Sequence, residues 1–181
     1  MTSRISSRRV FSGKVVSLDV DQVRFPNGTT GELEMIRHPG ASAVVPILGD
    51  KPSPDPEIVL IRQYRYAAED FLYEVPAGRL NHNELPEDCA RRELREETGY
   101  SADRLERLTT IFTTPGFTDE RIHLFLATGL TEGESSVETD EILDLEVLRL
   151  SSIVEMIRAG RIADAKTLVA LLLTARRLGL R

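Results

Sequence analysis

Apolar and polar residues alternate along the first part of the chain in a way that predicts short strands. Spaced apolar residues on both sides of the Pro-Asn-Gly turn at residues 26–28 predict a β-hairpin over residues 10–37. His38-Pro39-Gly40 then breaks the pattern. Apolar, β-branched runs at residues 41–48 and 58–66 predict buried strands. The proline-rich stretch that separates these two runs should be an exposed loop.

The middle of the chain carries clear helix-end signals. After a loop that follows Gly78, a helix should begin with Pro86 in its first turn and end just before Gly99. Further strands are predicted at residues 105–113 and 121–128, and the polar, acidic residues 131–140 should form a loop.

A strand at residues 143–148 and two helices complete the pattern. One helix opens at Ser151 and stops at Gly160, and the other spans residues 165–178 with an apolar stripe. Because strands and helices interleave while several links are hairpin-short, we expect an α+β fold with a mixed β-sheet sandwiched between α-helices. The break at residues 38–40 suggests two domains, an N-terminal antiparallel β-domain at 1–39 and a larger domain at 40–181.

Composition and charge exclude several classes of protein. Hydrophobic residues make up 41% of the chain, yet no run approaches the roughly 20 apolar residues that cross a bilayer. The net charge of −6 argues against a nucleic-acid partner, which needs a basic surface. The basic start of the chain lacks the apolar core of a secretory signal, and one cysteine cannot form an internal disulfide. We therefore expect a cytoplasmic protein without a membrane partner.

Three glutamates crowd one face of the predicted central helix. Glu93, Glu96 and Glu97 stand at positions i, i+3 and i+4, where like charges destabilise a helix. A solvated acidic face is the ordinary explanation for such a run. A hard divalent cation is the alternative, because carboxylate oxygens are the ligands that Mg²⁺ prefers.

The residues around these glutamates decide between the two interpretations, a solvated acidic face and a metal site. Gly78, Glu84 and the run from Arg92 to Gly99 resemble the Nudix box at every diagnostic position, and Tyr100 departs only where an aliphatic residue is usual. The resemblance implies a Nudix fold and hydrolysis of a pyrophosphate bond. It also implies Mg²⁺, with Mn²⁺ as an alternative, held by Glu93 and Glu97, by Glu96 as an accessory ligand, and by the Ala77 carbonyl. Glu84 and Arg92 would orient these ligands.

A second motif indicates a branch of that family. Pro115-Gly116 lies in a Thr-Pro-Gly-Phe segment, with Pro115 sixteen residues after Gly99. This spacing resembles the ADP-ribose pyrophosphatase branch, although a Pro-Gly turn between strands is common. The segments at residues 34–45 and 162–167 also resemble that branch. The resemblance implies a homodimer formed through the N-terminal strands.

The same resemblance assigns roles outside the box. The general base would lie in the acidic loop at Glu138, with Glu141 as its rival, and would act beside the metal-bound Glu97. Arg65 matches a phosphate contact, although a strand arginine also extends to solvent for no functional reason. Further substrate contacts are expected at Glu34, Pro115, Gly116 and Glu120. Val15 and Val16 stand where aromatic residues would stack on adenine, which valine cannot do.

These observations lead to one principal hypothesis and its alternatives. The principal one is Mg²⁺-dependent hydrolysis of ADP-ribose to AMP and ribose 5-phosphate. A broader nucleoside-diphosphate-sugar pyrophosphatase, acting on GDP-mannose or FAD, is the first alternative. A non-catalytic nucleotide sensor and a hydrolase of oxidised nucleoside triphosphates are the others. The intact glutamates weigh against the sensor, and the N-terminal strands and Pro115 weigh against the last.

Overall fold

The computed structural model of the chain describes residues 3–49, 53–133 and 143–180. The chain forms two compact units. The first comprises residues 1–40 together with 112–121, and the second comprises residues 41–111 and 122–181. Residues 112–121, which carry the Pro115-Gly116 motif, therefore group with the N-terminal strands although they are distant in sequence.

The first unit contains a three-stranded antiparallel sheet in the order β1-β2-β3. β1 (Ser3–Ser12) pairs with β2 (Ser17–Arg24), and β2 pairs with β3 (Thr30–Arg37) across the expected turn. The hairpin of β2 and β3 agrees with the sequence pattern. β1 was not predicted as a full strand because all ten of its residues are exposed, so its sequence carries no burial period.

Seven strands form the mixed sheet of the second unit. Five of them follow the order β10-β5-β4-β9-β8, while β6 pairs with β5 and β7 pairs with β4. β4 and β9 run parallel, and β4 pairs antiparallel with β5 and β7. The strands are β4 (Ala41–Leu48), β5 (Glu57–Arg65), β6 (Asp70–Glu74), β7 (Ala77–Arg79), β8 (Tyr100–Phe112), β9 (Arg121–Glu132) and β10 (Leu143–Arg149).

The described residues of this unit form three α-helices and a short 3₁₀ helix at Tyr66–Ala68. The α-helices are α1 (Pro86–Thr98), α2 (Leu150–Arg158) and α3 (Ala165–Arg177). Adjacent residues of β4 enter different hydrophobic clusters, as alternation in a strand requires. Val45 packs with residues of α2 and α3, whereas Val44 packs with Ala90 and Leu94 of α1. The sheet is thus covered by helices on both faces, which confirms the predicted sandwich.

The ends of α1 follow the sequence signals. Pro86 occupies the first helical position, where its missing N–H costs nothing. Gly99 closes the helix with φ 78°, in the left-handed region that glycine adopts without strain. The short strands β6 and β7 on either side of Val75-Pro76 were not predicted. In the described part of the chain, no helix is both long enough and apolar enough to cross a membrane.

Candidate active site

The charged face of α1 is organised around a single arginine. The Nε and Nη2 atoms of Arg92 donate to the two carboxylate oxygens of Glu84 at 2.8 and 3.0 Å. Nη1 donates to Glu93 at 2.5 Å and to Glu96 at 3.0 Å, and Nη2 also reaches the carbonyl of Arg79. Arg92 therefore ties the loop before the helix to two of the three glutamates on its face.

This pairing fixes the charge state of the group. Hydrogen bonding to Glu84 raises the pKa of Arg92 and outweighs the opposing effect of burial, so the guanidinium stays protonated. The hydrogen bond from Arg92 likewise lowers the pKa of Glu84. The N–H of Asn81 also donates to Glu84 at 2.8 Å, which closes the loop onto itself.

The third glutamate of this face lies deeper. Glu97 is 3% exposed and accepts a hydrogen bond from the backbone N–H of Ala77 at 3.0 Å. The backbone that should supply a carbonyl ligand is thus held directly against one predicted ligand side chain. Close packing of Gly78 against Glu93 brings the same backbone to a second one, because a Cβ on residue 78 would overlap the Glu93 carboxylate.

β4 and the helix core hold α1 in place. The buried hydroxyl of Ser42 on β4 donates to the carbonyl of Pro86 at 2.7 Å. Leu94 is fully buried in a cluster with Val44 of β4 and Ala90. The helix therefore presents Glu93 and Glu96 outward from a fixed base, with their side chains 12% and 34% exposed.

The remaining predicted site residues fall in different parts of the chain. Glu34, Pro115, Gly116 and Glu120 lie in the first unit, whereas Arg65 lies in the second with the glutamates of α1. Glu34 is exposed on β3, and Pro115 and Gly116 are exposed in their loop. Glu138 and its rival Glu141 lie outside the described residues.

Glu120 is held within its own unit. Its carboxylate accepts a hydrogen bond from the hydroxyl of Thr113 at 2.9 Å and lies 3.3 Å from Nδ1 of His38. Arg37 and the N–H of His38 both bind Asp119, at 3.2 and 3.0 Å. The end of β3 thus holds the loop at residues 113–120 in a defined conformation.

Arg65 makes a pair that the sequence reading missed. Its Nε and Nη2 atoms donate to Glu74 at 2.7 and 2.9 Å, and Lys166 forms a further ion pair with the same carboxylate. Glu74 is 1% exposed. The sequence did offer a signal for this pair, since Glu74 stands in the apolar stretch before Val75-Pro76. A carboxylate that is buried with its apolar neighbours is almost always paired with a cation.

Comparison with known proteins identifies the family. A model described as the NUDIX domain matches residues 37–171. The chain belongs to the Nudix family. It is 37% identical over 169 residues to the ADP-ribose pyrophosphatase of Bacillus subtilis, covering 92% of this chain and 89% of that one. It is 44% identical over 168 residues to the methanol dehydrogenase activator of Bacillus methanolicus, covering 92% and 88%.

The fold of this Nudix chain also matches a solved structure. The crystal structure of an ADP compounds hydrolase superimposes with a TM-score of 0.82 at 20% identity, covering 98% of this chain and 94% of the other. An ADP-ribose pyrophosphatase of Mycobacterium tuberculosis is 40% identical over 71% of this chain and 60% of its own length. The protein is accordingly a Nudix pyrophosphatase similar to the ADP-ribose pyrophosphatases.

Nudix proteins typically use a divalent metal, and the residues of this site suit one. The face of α1 offers three carboxylates, and β7 offers backbone carbonyls, all hard oxygen donors. Within the described ranges, no three acidic, histidine or cysteine side chains form a ready ligand set. In this arrangement Arg92 binds Glu93 and Glu96, and Glu97 accepts from the N–H of Ala77.

Proposed function

We propose that this Nudix pyrophosphatase hydrolyses ADP-ribose to AMP and ribose 5-phosphate with Mg²⁺ as its cofactor. The observation that carries the proposal is the joint retention of Glu93, Glu96 and Glu97 on one face of α1 against the backbone of Ala77 and Gly78. Similarity to ADP-ribose pyrophosphatases over most of the chain supports the choice of substrate.

In this proposal, different groups of the chain bind the metal, orient its ligands and accept a proton. Glu93, Glu97, Glu96 and the Ala77 carbonyl hold the metal, and Arg92 orients Glu93 and Glu96. Bound Mg²⁺ supplies charge neutralisation at the diphosphate and lowers the pKa of an attacking water. The water oxygen forms a bond to one phosphorus while the bridging P–O bond breaks. Glu138, or its rival Glu141, accepts the proton of that water.

Substrate recognition draws on the other predicted residues. Arg65 contacts the diphosphate, and Glu34, Pro115, Gly116 and Glu120 contact the nucleoside and terminal ribose. Exposed Val15 offers no ring for stacking on the base. We therefore expect selectivity to come from the diphosphate and the ribose more than from adenine.

Parallel turnover assays test the substrate. Purified protein with Mg²⁺ is given ADP-ribose, GDP-mannose, FAD and an oxidised dGTP, and the released AMP or other monophosphate is quantified. Fastest turnover of ADP-ribose supports the proposal. Rapid hydrolysis of another diphosphate without AMP release from ADP-ribose would overturn it in favour of the broader nucleotide-sugar activity. A GDP-mannose pyrophosphatase of Cronobacter sakazakii, 41% identical over 63% of this chain, supports that alternative.

Substitution of a ligand tests the catalytic assignment. Glu97→Gln should lower kcat at least 100-fold, since loss of even an outer partner of a metal ligand costs about 10–100-fold. Binding of ADP-ribose should persist, which separates an enzyme from a nucleotide sensor. Glu87→Gln, on the exposed first turn of the same helix, is the matched control. Unchanged turnover in the Glu97 variant would remove it from the metal site.

A second candidate function rests on the relative from Bacillus methanolicus. Because 44% identity extends over 88% of that activator, we also propose that this chain activates a methanol dehydrogenase. Dehydrogenase turnover measured with and without the chain, and with its Glu97→Gln variant, tests this. Activation that survives loss of hydrolysis would indicate a contact with the dehydrogenase, and no activation would exclude the candidate.

We further propose a homodimer formed through the N-terminal strands. β1 is an edge strand whose apolar side chains Ile5, Val10 and Phe11 are about half exposed. An exposed edge of this kind is a ready surface for pairing. Light scattering should give twice the chain mass, and Phe11→Ser with Ile5→Ser should shift it to the monomer. A monomeric wild-type protein would contradict the proposal.

A further inference from the structure

The buried carboxylate of Glu74 lies outside the glutamate motif of α1. We infer that Glu74 and Lys166 are positioning residues that hold the Arg65 guanidinium in the orientation that binds the substrate diphosphate. This inference rests on the proposed function for the site as a pyrophosphatase. It assigns a purpose to two charged groups that the catalytic mechanism leaves unexplained.

The geometry of the pair leaves one edge of Arg65 available. Glu74 engages the Nε and Nη2 atoms side-on, which fixes the plane of the guanidinium. Both hydrogen bonds to Glu74 use Nε and Nη2, so Nη1 lies outside this pair. The side chain of Arg65 is 41% exposed and that of Glu74 only 2%, so the arginine is the more accessible member of the pair.

Arg65 lines an open cavity of about 410 Å³. Its charged lining consists of Arg65, Glu74, Asp164 and Lys166, and three small or apolar side chains complete it. Glu97 on α1 is near enough to contribute to the raised pKa of Arg65, after the larger effect of the Glu74 hydrogen bonds. Ala77, three residues after Glu74, donates its N–H to the same Glu97 at 3.0 Å. The guanidinium therefore lies in electrostatic range of Glu97, one of the proposed metal ligands, beside which the diphosphate would bind.

Lys166 binds the same carboxylate oxygen of Glu74 that accepts from Nη2 of Arg65. It is the second residue of α3, where a cation is unfavourable because the helix dipole is positive at that end. Its Nζ is nevertheless held between Glu74 and Asp164, at 3.0 Å from the latter. Because the helix dipole disfavours a cation at this position, Lys166 is there for a contact outside its own helix. That contact is with the buried Glu74 carboxylate, which would otherwise pair with Arg65 alone.

The first turn of α3 is fixed to the sheet at the same point. Asp164 caps the helix by accepting from the N–H of Thr167 at 2.9 Å. The hydroxyl of Thr167 in turn accepts from the N–H of Val75, next to Glu74, at 3.0 Å. These two hydrogen bonds, each from a backbone N–H to a side chain, set the position of Lys166 relative to Glu74. The orientation of Arg65 therefore depends on how α3 packs against β6.

A double-mutant cycle tests this role. Glu74→Gln, Lys166→Met, Arg65→Met and the double variant Arg65→Met with Glu74→Gln are assayed for KM and kcat. The Kd of ADP is measured by calorimetry without metal, so that the result does not depend on turnover. Arg62→Lys is the control, because Arg62 lies on the same strand but contacts the Phe71 ring. Thermal unfolding confirms that each variant is folded.

We expect Glu74→Gln and Arg65→Met each to raise KM and the Kd of ADP roughly tenfold, the scale of one charge-assisted hydrogen bond, with kcat changed less than about threefold. Lys166→Met should act in the same direction, and Arg62→Lys should not. In the Arg65→Met background, Glu74→Gln should have no further effect on ADP binding. An undiminished effect in that background would overturn the inference. If the wild type cleaves no ADP-ribose, the proposed function fails, whereas the ADP-binding cycle still decides the role of Glu74.

Discussion

The carboxylate of Glu93 occupies the space into which a side chain on residue 78 would project. A Cβ built on Gly78 would lie 2.5 Å from Oε2 of Glu93 and closer still to its Cδ and Oε1. Glycine is therefore required here by the close approach of β7 to α1, since its φ is not in the left-handed region. The same approach brings the backbone of Ala77 and Gly78 to the glutamates.

Gly78→Ala should therefore displace Glu93 and disable the site. Because the overlap must be relieved by moving a partly buried, ion-paired side chain, we expect a loss of about 1–3 kcal/mol in the free energy of unfolding. Turnover should fall about 100-fold, as for loss of a ligand-orienting group. Urea unfolding and steady-state kinetics measure the two effects.

Gly31→Ala is the matched control for that substitution. The added methyl would meet only the ring of Phe25, at 3.0 Å, and a shift of a few tenths of an ångström by this partly exposed side chain relieves the contact. Both stability and turnover should stay near wild type. If Gly78→Ala behaves in the same way, the close contact with Glu93 is not important for the site.

A second prediction concerns Arg92, whose guanidinium bonds to Glu84, Glu93 and Glu96 simultaneously. Lysine keeps the charge but has no planar fork for these partners. Arg92→Lys should lower the free energy of unfolding by about 1.5–3 kcal/mol, the scale of hydrogen bonds to charged groups. It should also raise the Mg²⁺ concentration needed for half-maximal turnover, because Glu93 and Glu96 lose their common orientation.

Arg95→Lys provides the comparison for Arg92 on the same helix. Arg95 is exposed, and the substitution should alter neither stability nor Mg²⁺ dependence measurably. Equal behaviour of the two variants would show that the charge of Arg92, and not its geometry, is what the site uses.

The sequence predicted those parts of the fold whose signals are local. Pro86 and Gly99 mark the two ends of α1 within the segment itself, and the i, i+3, i+4 spacing places the glutamates on one face. By contrast, β1 forms only because β2 pairs with it, and its residues show no alternation of burial. A strand that depends on a partner for its stability leaves little trace in its own sequence.

The residues of the candidate site also differ in how far they could be predicted from local sequence. The glutamates of α1 were identified from one contiguous motif, whereas the pair formed by Glu74 and Lys166 joins residues 92 positions apart. Such a contact depends on how α3 packs against the end of β6. The grouping of residues 112–121 with the N-terminal strands is likewise a tertiary contact. It is made by backbone hydrogen bonds between Ile36 and both Phe117 and Asp119.

A third prediction concerns acid stability of the first unit. Asp19 is paired with Arg9 and Arg37, and the hydrogen bond from Arg9, followed by that from Arg37, lowers the pKa of Asp19. Since the folded pKa lies below the unfolded value of about 3.9, this stabilisation is present above about pH 4 and is lost as the pH falls through the folded pKa.

Arg37→Met should therefore destabilise the protein at pH 7 and much less at pH 3. The difference in urea midpoint between wild type and variant, measured at both pH values, reports on Asp19 together with Asp21 and Asp119, the other carboxylates that pair with Arg37. Exposed Arg8, on β1, supplies the control variant Arg8→Met. A difference that stays constant with pH would show that Arg37 acts through packing and not through Asp19.

A last prediction uses the single cysteine as a probe of α1, the helix that carries the three glutamates. Cys89 is fully buried on α1, and its sulfur lies 3.5 Å from the carbonyls of Gly78 and Arg79. Burial, aided by the nearby charge of Glu93, raises the pKa of the thiol to about 11. Because the thiolate is the reactive form, native protein at pH 8 should not react with a disulfide reagent on the time scale of unfolded protein. Modification followed across a urea titration should coincide with the unfolding of α1 measured by circular dichroism. Rapid labelling in the absence of urea would mean that the helix separates from β7 in the native state, and the close approach of Gly78 to Glu93 would then be transient.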